Sequence, residues 1–233
     1  MRSIPLIVAV LLSIALCAAL TPQAPVSMDF VSNTSPAPGI GLVVNTTRGY
    51  INYVTLNATT QTFRWLGYVG NISGTVALSD ASENKLYAWD VSNVRGEIYA
   101  TRNSSTVAWG DIRCANESNI TNEQGALSFE SDDPDSINRT FNSTTHRSFY
   151  VGEVLIGADT CRSTALYSNS TAQADFYQEI LLTDGPKMIY TGLINGSQRD
   201  FTGNLSDFQI ILPSYAQDGP VENLAYYFYV ELQ

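Results

Sequence analysis

The sequence predicts an all-β fold, an antiparallel β-sandwich of jelly-roll or Ig-like type with a short helical insert. Short runs rich in aromatic and β-branched residues recur at intervals of about ten residues, as in sandwiches and barrels. Clusters of Asn, Asp, Gly and Ser punctuate them. One central segment lacks the alternation and carries helix-capping residues instead.

Residues 50–56 and 62–69 open the series, and Phe63, Trp65 and Val69 are expected on one face of the second run. Further strands are expected at 75–78, 85–89, 96–100 and 106–109, with turns around Asn71, Gly74, 80–84 and 103–105. From Cys114 to Arg147 the pattern changes. Residues 118–127 and 135–141 each read as a helical turn or two, with Ser118, Asn119 and Asp135 as N-cap candidates. Strands resume at 149–156, 164–167, 176–182, 188–194 and 208–212. The last run, 224–232, sets Leu224, Tyr226, Phe228, Val230 and Leu232 on one face, with Ala225, Tyr227 and Tyr229 opposite. A lone apolar edge strand invites aggregation, so this strand is expected in mid-sheet; the competing reading gives its exposed face to another subunit.

Two segments precede the β region. Residues 1–19 read as a signal peptide: Arg2 is the positive start, 4–16 are almost unbroken apolar residues, and Cys17, Ala18 and Ala19 suit signal peptidase. The apolar run is shorter than the roughly 20 residues that span a bilayer. Leu16 stands where a lipoprotein signal wants a small residue. Residues 20–44 form a Pro/Ser-rich tail with Pro22, Pro25, Pro36 and Pro38, and residues 45–233 form a single β-sandwich domain. No later stretch is long and apolar enough to cross a membrane, so no transmembrane segment is expected after signal cleavage.

Twelve Asn-X-Ser/Thr sites occur, at Asn33, Asn45, Asn57, Asn71, Asn103, Asn116, Asn119, Asn138, Asn142, Asn169, Asn195 and Asn204. Seventeen asparagines at this Ser/Thr content give roughly three by chance. Each used site places a bulky hydrated sugar on the exterior, so covalent N-glycans are expected on most. Asn33, close to Pro36, and the crowded Asn116 and Asn119 are expected to be the emptiest.

Removing Cys17 with the signal leaves Cys114 and Cys161, an even pair in an oxidising compartment, which is expected to bond. The competing reading is two separate buried thiols. Metal ligation by the pair is disfavoured, because zinc wants about four Cys or His ligands and the chain has one histidine, His146. The net charge of −10, with only Lys85 and Lys187 among the lysines, gives no basic stripe for nucleic acid or anionic lipid.

Candidate chemistry is sparse. Glu130, Asp132, Asp133 and Asp135 offer oxygens to Ca²⁺, but an EF-hand glycine is missing and a solvated acidic loop fits better. His146 has no activating pattern beside it and reads as a lone exposed histidine. Glu97 and Glu153, both on expected strands, are the best candidates for a glycosidase-type carboxylate pair. Strand tyrosines and tryptophans are suited to stack on sugar rings or to fill the core. No cofactor is expected.

The ordered set Thr62-Phe63-Arg64-Trp65-Leu66-Gly67-Tyr68-Val69-Gly70-Asn71-Ile72-Ser73-Gly74, Gly96-Glu97-Ile98-Tyr99-Ala100-Thr101-Arg102, Val107-Ala108-Trp109, Cys114, Asp135-Ser136-Ile137-Asn138, Phe141-Asn142, Phe149-Tyr150-Val151-Gly152, Cys161, Asp207-Phe208-Gln209 and Tyr226-Tyr227-Phe228-Tyr229-Val230-Glu231-Leu232 resembles secreted archaeal cell-surface β-domains without an assigned activity. That resemblance implies an extracellular, β-rich, disulfide-bonded domain and no catalytic residue. Its acidity falls short of that of extreme halophiles.

The expected function is therefore a secreted, N-glycosylated structural or adhesive cell-surface protein rather than an enzyme. Its expected partners are copies of itself or other envelope components. Assembly by strand addition is expected from a tail ending in Gly39-Ile40-Gly41-Leu42-Val43-Val44; the competing fate of that segment is a strand within its own sheet. The alternative function is an extracellular carbohydrate-binding or glycan-processing protein.

Overall fold

The computed structural model describes residues 21–37, 48, 53, 55, 59–82, 84–90, 94–173, 176–215 and 224–233. Residues 1–19, expected to be a signal peptide, the segment 39–44, and Asn45 and Asn57 lie outside them, as does most of the run at 50–56.

In chain order the strands begin with β1 (Trp65–Gly70), β2 (Thr75–Ser79), β3 (Lys85–Asp90), β4 (Arg95–Thr101) and β5 (Arg113–Cys114). The insert carries α1 (Glu117–Ala126) and α2 (Ile137–Thr140). Then come β6 (Phe149–Val151), β7 (Val154–Ile156), β8 (Ser163–Ala165), β9 (Gln178–Thr183) and β10 (Met188–Asn195). The chain closes with β11 (Gln198–Arg199), β12 (Leu205–Ser206), β13 (Phe208–Pro213) and β14 (Tyr227–Leu232). All pairings are antiparallel, so the fold is all-β with a short helical insert.

The central sheet has the order β14-β4-β10-β9-β5, with β8 also on β9. Strands β9 and β10 are buried almost end to end because both faces are covered. On one face, Ile98, Ala100, Leu181, Tyr190 and Ile194 pack against Ile120 of α1, Ile137 of α2, and Ile210 and Leu212 of β13. On the other, Tyr99, Ile180, Leu182, Ile189 and Leu193 meet Phe149, Val151 and Ile156 of the β6–β7 hairpin. The layers are thus hairpin, central sheet, then the β1–β13 ribbon with the helices.

Local hydrogen bonds explain the boundaries. Asn116 caps α1 in a reciprocal box with Asn119, each side-chain oxygen accepting the other's backbone N–H at 3.0 Å. Ser136 caps α2. Both caps differ from the expected Ser118, Asn119 and Asp135. Two loops share one design. In Asp80-Ala81-Ser82-Glu83-Asn84 and Asp200-Phe201-Thr202-Gly203-Asn204, the aspartate Oδ1 accepts N–H bonds from the third and fifth residues, and its own N–H donates to the fifth carbonyl.

Four further expectations need correction. Residues 106–109 form no strand; the chain there enters a 3-10 turn, Trp109–Asp111. On β1 it is Trp65 and Tyr68 that reach the core, while Phe63 and Val69 are exposed. The strand expected at 149–156 is instead a hairpin, β6 and β7, turned at Gly152 and Glu153. Finally, β14 is an edge strand. Its outer edge is blunted in two ways: Gln23 exchanges backbone hydrogen bonds with Val230 at 2.8 and 2.9 Å, and Glu231 points its charge inward.

Candidate functional site: a buried carboxylate cluster

The register of β14 on β4 sets Glu231 directly opposite Glu97 on the face covered by the β6–β7 hairpin. Close approach of these strands requires Gly96, where φ is +132° and a Cβ would stand 1.9 Å from the Glu231 carbonyl oxygen. The hydroxyl of Tyr99 donates to Glu231 Oε2 at 3.1 Å. Gly152, in the tight β6–β7 turn with φ +57°, donates its N–H to both Glu231 oxygens at 3.1 Å. Gln233 Nε2 donates to Glu97 Oε2 at 3.1 Å, and Arg147 Nη2 stands 3.7 Å from Glu97 Oε1.

These surroundings set the charge. Glu97 is 1% exposed; burial, and to a smaller degree Glu231, push its carboxyl up to about 8 against the pull of Arg147. Burial also raises Glu231, opposed by the Gly152 N–H and the Tyr99 hydroxyl. At neutral pH the pair therefore holds a proton on Glu97. A protonated carboxyl beside a carboxylate is acid–base equipment in open clefts. Here the hairpin lies over it, and the hydrogen bonds tie the hairpin turn to the sheet edge.

The partner of Glu97 is thus Glu231 and not Glu153, which sits in the exposed turn beside Gly152. Sequence reasoning passed over Glu231. The available signal was a lone charge inside the most apolar strand of the chain. It also passed over Glu179, 0% exposed on the opposite face, whose Oε2 accepts the Ile211 N–H at 2.8 Å and so ties β13 to the central sheet. Its Oε1 has no partner among the described residues, and burial raises the carboxyl well above its ordinary value.

His146 is buried at 2% exposure, against the expectation of an exposed side chain. Its Nδ1 faces the Arg147 carbonyl at 2.8 Å and so carries the proton. Nε2 then accepts the backbone N–H groups of Thr160 and Cys161 at 3.2 and 3.0 Å. Both ring nitrogens are committed to shaping the loop that presents Cys161. That residue is bonded to Cys114 with the Cα atoms 4.9 Å apart, joining the strand before α1 to the loop before β8.

The acidic loop is anchored by a cation. Arg64 Nη1 lies 2.5 Å from Asp133 and 3.3 Å from Asp135, Thr62 donates to Asp135, and Trp65 Nε1 donates to the Asp135 carbonyl at 2.7 Å. Among the described residues no cluster of three or more His, Cys, Asp or Glu side chains is arranged to hold a metal. A shallow cleft of about 270 Å³ lies between Thr101, Arg102, Glu123 and Lys187. Its charges are already paired: Arg102 is bidentate to Glu123 at 2.8 Å, and Lys187 bonds Asp184 at 3.0 Å.

Of the ten described sequons, Asn33, Asn71, Asn103, Asn116, Asn142, Asn169 and Asn204 are exposed, and Asn119, Asn138 and Asn195 are half-buried. No helix of the described residues is long and apolar enough to cross a membrane. Comparison with protein-family models, curated proteins and solved structures finds no match to this chain.

Proposed function

We propose that the chain is an exported, N-glycosylated structural or adhesive subunit of the cell exterior, without enzymatic activity, which assembles with copies of itself into a filament or envelope. The observation that carries this reading is the placement of the sequons. None of the ten described asparagines is buried, and they are spread over the tail, the loops and the insert. A surface coated in this way resists proteolysis and sets the assembly interfaces in the gaps between sugars. Further support comes from Glu97 and His146, the residues with most catalytic promise in the sequence, which serve as internal fasteners.

The test is native protein recovered from outside the source cells. Intact mass well above about 23 kDa, the 25.4 kDa chain less its signal, is expected, together with ordered polymers by electron microscopy. An unmodified chain that stays monodisperse at high concentration refutes the reading. A second reading, carbohydrate binding, rests on Tyr87 and Trp89, exposed on β3 with ring centroids 4.8 Å apart. Glycan-array binding lost in Trp89→Ala would favour it.

A further inference from the structure

Among the described residues, strands β2 and β3 pair only with each other, as a two-stranded arm. Their register places Val76 opposite Trp89 and Leu78 opposite Tyr87. These four side chains form one wholly apolar face, and all four are exposed. The other face carries Thr75, Ala77, Ala88 and Asp90, and Leu86 stands exposed at the bulge near the turn. A two-stranded hairpin is marginal in water without cover for its apolar face, and among the described residues neither outer edge of this arm is paired with another strand.

The tail has the complementary shape. Beyond Gln23 it has no regular secondary structure apart from a bend at Val26, and Val26, Met28, Phe30 and Val31 are exposed. Val26, Met28 and Phe30 alternate with Ser27 and Asp29, which is the period of a strand with one apolar face. Pro25 and Pro36 bound the segment, and every residue between them keeps its N–H. Among the described residues no backbone hydrogen bond holds it.

Direction decides which arm it meets. The bridge of Gln23 to Val230 is antiparallel, so the tail leaves the sheet past Phe228 and Tyr227. The arm is rooted at the other end of β14: a Cβ on Gly74 would lie 2.7 Å from the Leu232 side chain, and Arg95 accepts from the Gln233 N–H. Each copy therefore offers a donor strand at one end and an acceptor arm at the other.

We infer that residues 26–31 of one copy add as a third strand to the β2–β3 arm of the next, with Val26, Met28 and Phe30 set beside Val76, Leu78, Tyr87 and Trp89 so that they continue the same apolar face. This rests on the reading of the chain as a self-assembling subunit and names the contact. Side-by-side addition covers the flanks of these seven exposed side chains, and the main-chain hydrogen bonds of the new ladder supply the rest of the affinity. Because the two surfaces differ, the contact is head-to-tail and propagates as an open filament unless its rotation closes a ring.

The test uses two full-length variants. Donor-dead carries Val26→Asp, Met28→Asp and Phe30→Asp; acceptor-dead carries Leu78→Asp and Trp89→Asp. All five positions are exposed, so near-native melting is expected of both. Each alone should be monomeric at concentrations where the wild type polymerises, with association weakened at least roughly 100-fold. Mixed, they should form one-to-one dimers that grow no further, and a synthetic peptide of residues 25–35 should compete. If either variant polymerises like the wild type, the inference is overturned while the subunit reading stands. A wild type that is monomeric throughout overturns both.

Discussion

Replacing Glu97 by Gln removes one buried titration while nearly preserving side-chain size. In the folded chain the Glu97 carboxyl sits at about 8, against 4.5 ordinarily, chiefly because it is buried. Between those values the folded protein keeps a proton that the unfolded chain has lost, so this residue's contribution falls as pH rises. It is complete below pH 4.5 and gone above about pH 8. The slope is about 1.4 kcal/mol per pH unit, or on the order of 5 kcal/mol across the window, with the pull of Arg147 already contained in the value of about 8. Glu231 and Glu179 are raised in the same direction, so the wild type should lose stability more steeply than Glu97 alone dictates, and only the difference between the two proteins isolates it. Urea unfolding with the disulfide intact, repeated from about pH 4 to about pH 9, reads that difference. Glu97→Gln should unfold at a higher urea midpoint than the wild type above pH 8, with a flatter profile below. Parallel losses in both proteins through the window would falsify the assignment.

Reduction of the Cys114–Cys161 bond, which closes a loop of 47 residues, should cost about 4 kcal/mol by chain entropy, read as a lower urea midpoint at unchanged particle mass. Non-reducing peptide maps that recover both thiols free would reject the pairing. His146→Phe should destabilise by about 1–3 kcal/mol, since it leaves the buried Cys161 N–H without an acceptor and frees the Thr160 N–H beside it; an unchanged melting curve contradicts that account. Glycopeptide mapping should find lower occupancy at Asn119, whose Nδ2 donates to the Gly185 carbonyl, and at Asn138, whose Oδ1 is buried, than at exposed Asn103, Asn142 and Asn204. Equal occupancy at all five counts against the structural reason given.

The sequence by itself determined what is local. Alternation over five to eight residues marked β2, β3, β4, β9, β10, β13 and β14, because a pleated strand repeats every second residue whatever it pairs with. Capping residues and the loss of alternation marked the insert, though the caps fell on Asn116 and Ser136, one or two residues from those expected. The even number of cysteines outside residues 1–19 marked the pair that bonds. It also ordered one face of the last strand: Leu224, Tyr226, Phe228, Val230 and Leu232 all pack on the helix-side core.

The tertiary structure decided everything that depends on partners far along the chain. Glu97 and Glu231 are separated by more than half the sequence and meet only because β14 pairs with β4 in one register; a shift of one residue would turn the Glu231 side chain to the other face. The burial that raises Glu97 and Glu179 comes from elements laid over them, the β6–β7 hairpin and the β1–β13 ribbon, and composition carries no trace of such cover. His146 looked exposed because a histidine's surroundings are set by which backbone N–H groups fold onto it. The exposed face of the β2–β3 arm was equally hidden: the alternation of Val76, Leu78, Tyr87 and Trp89 is that of a covered strand, yet all four are exposed and no other strand among the described residues pairs with the arm.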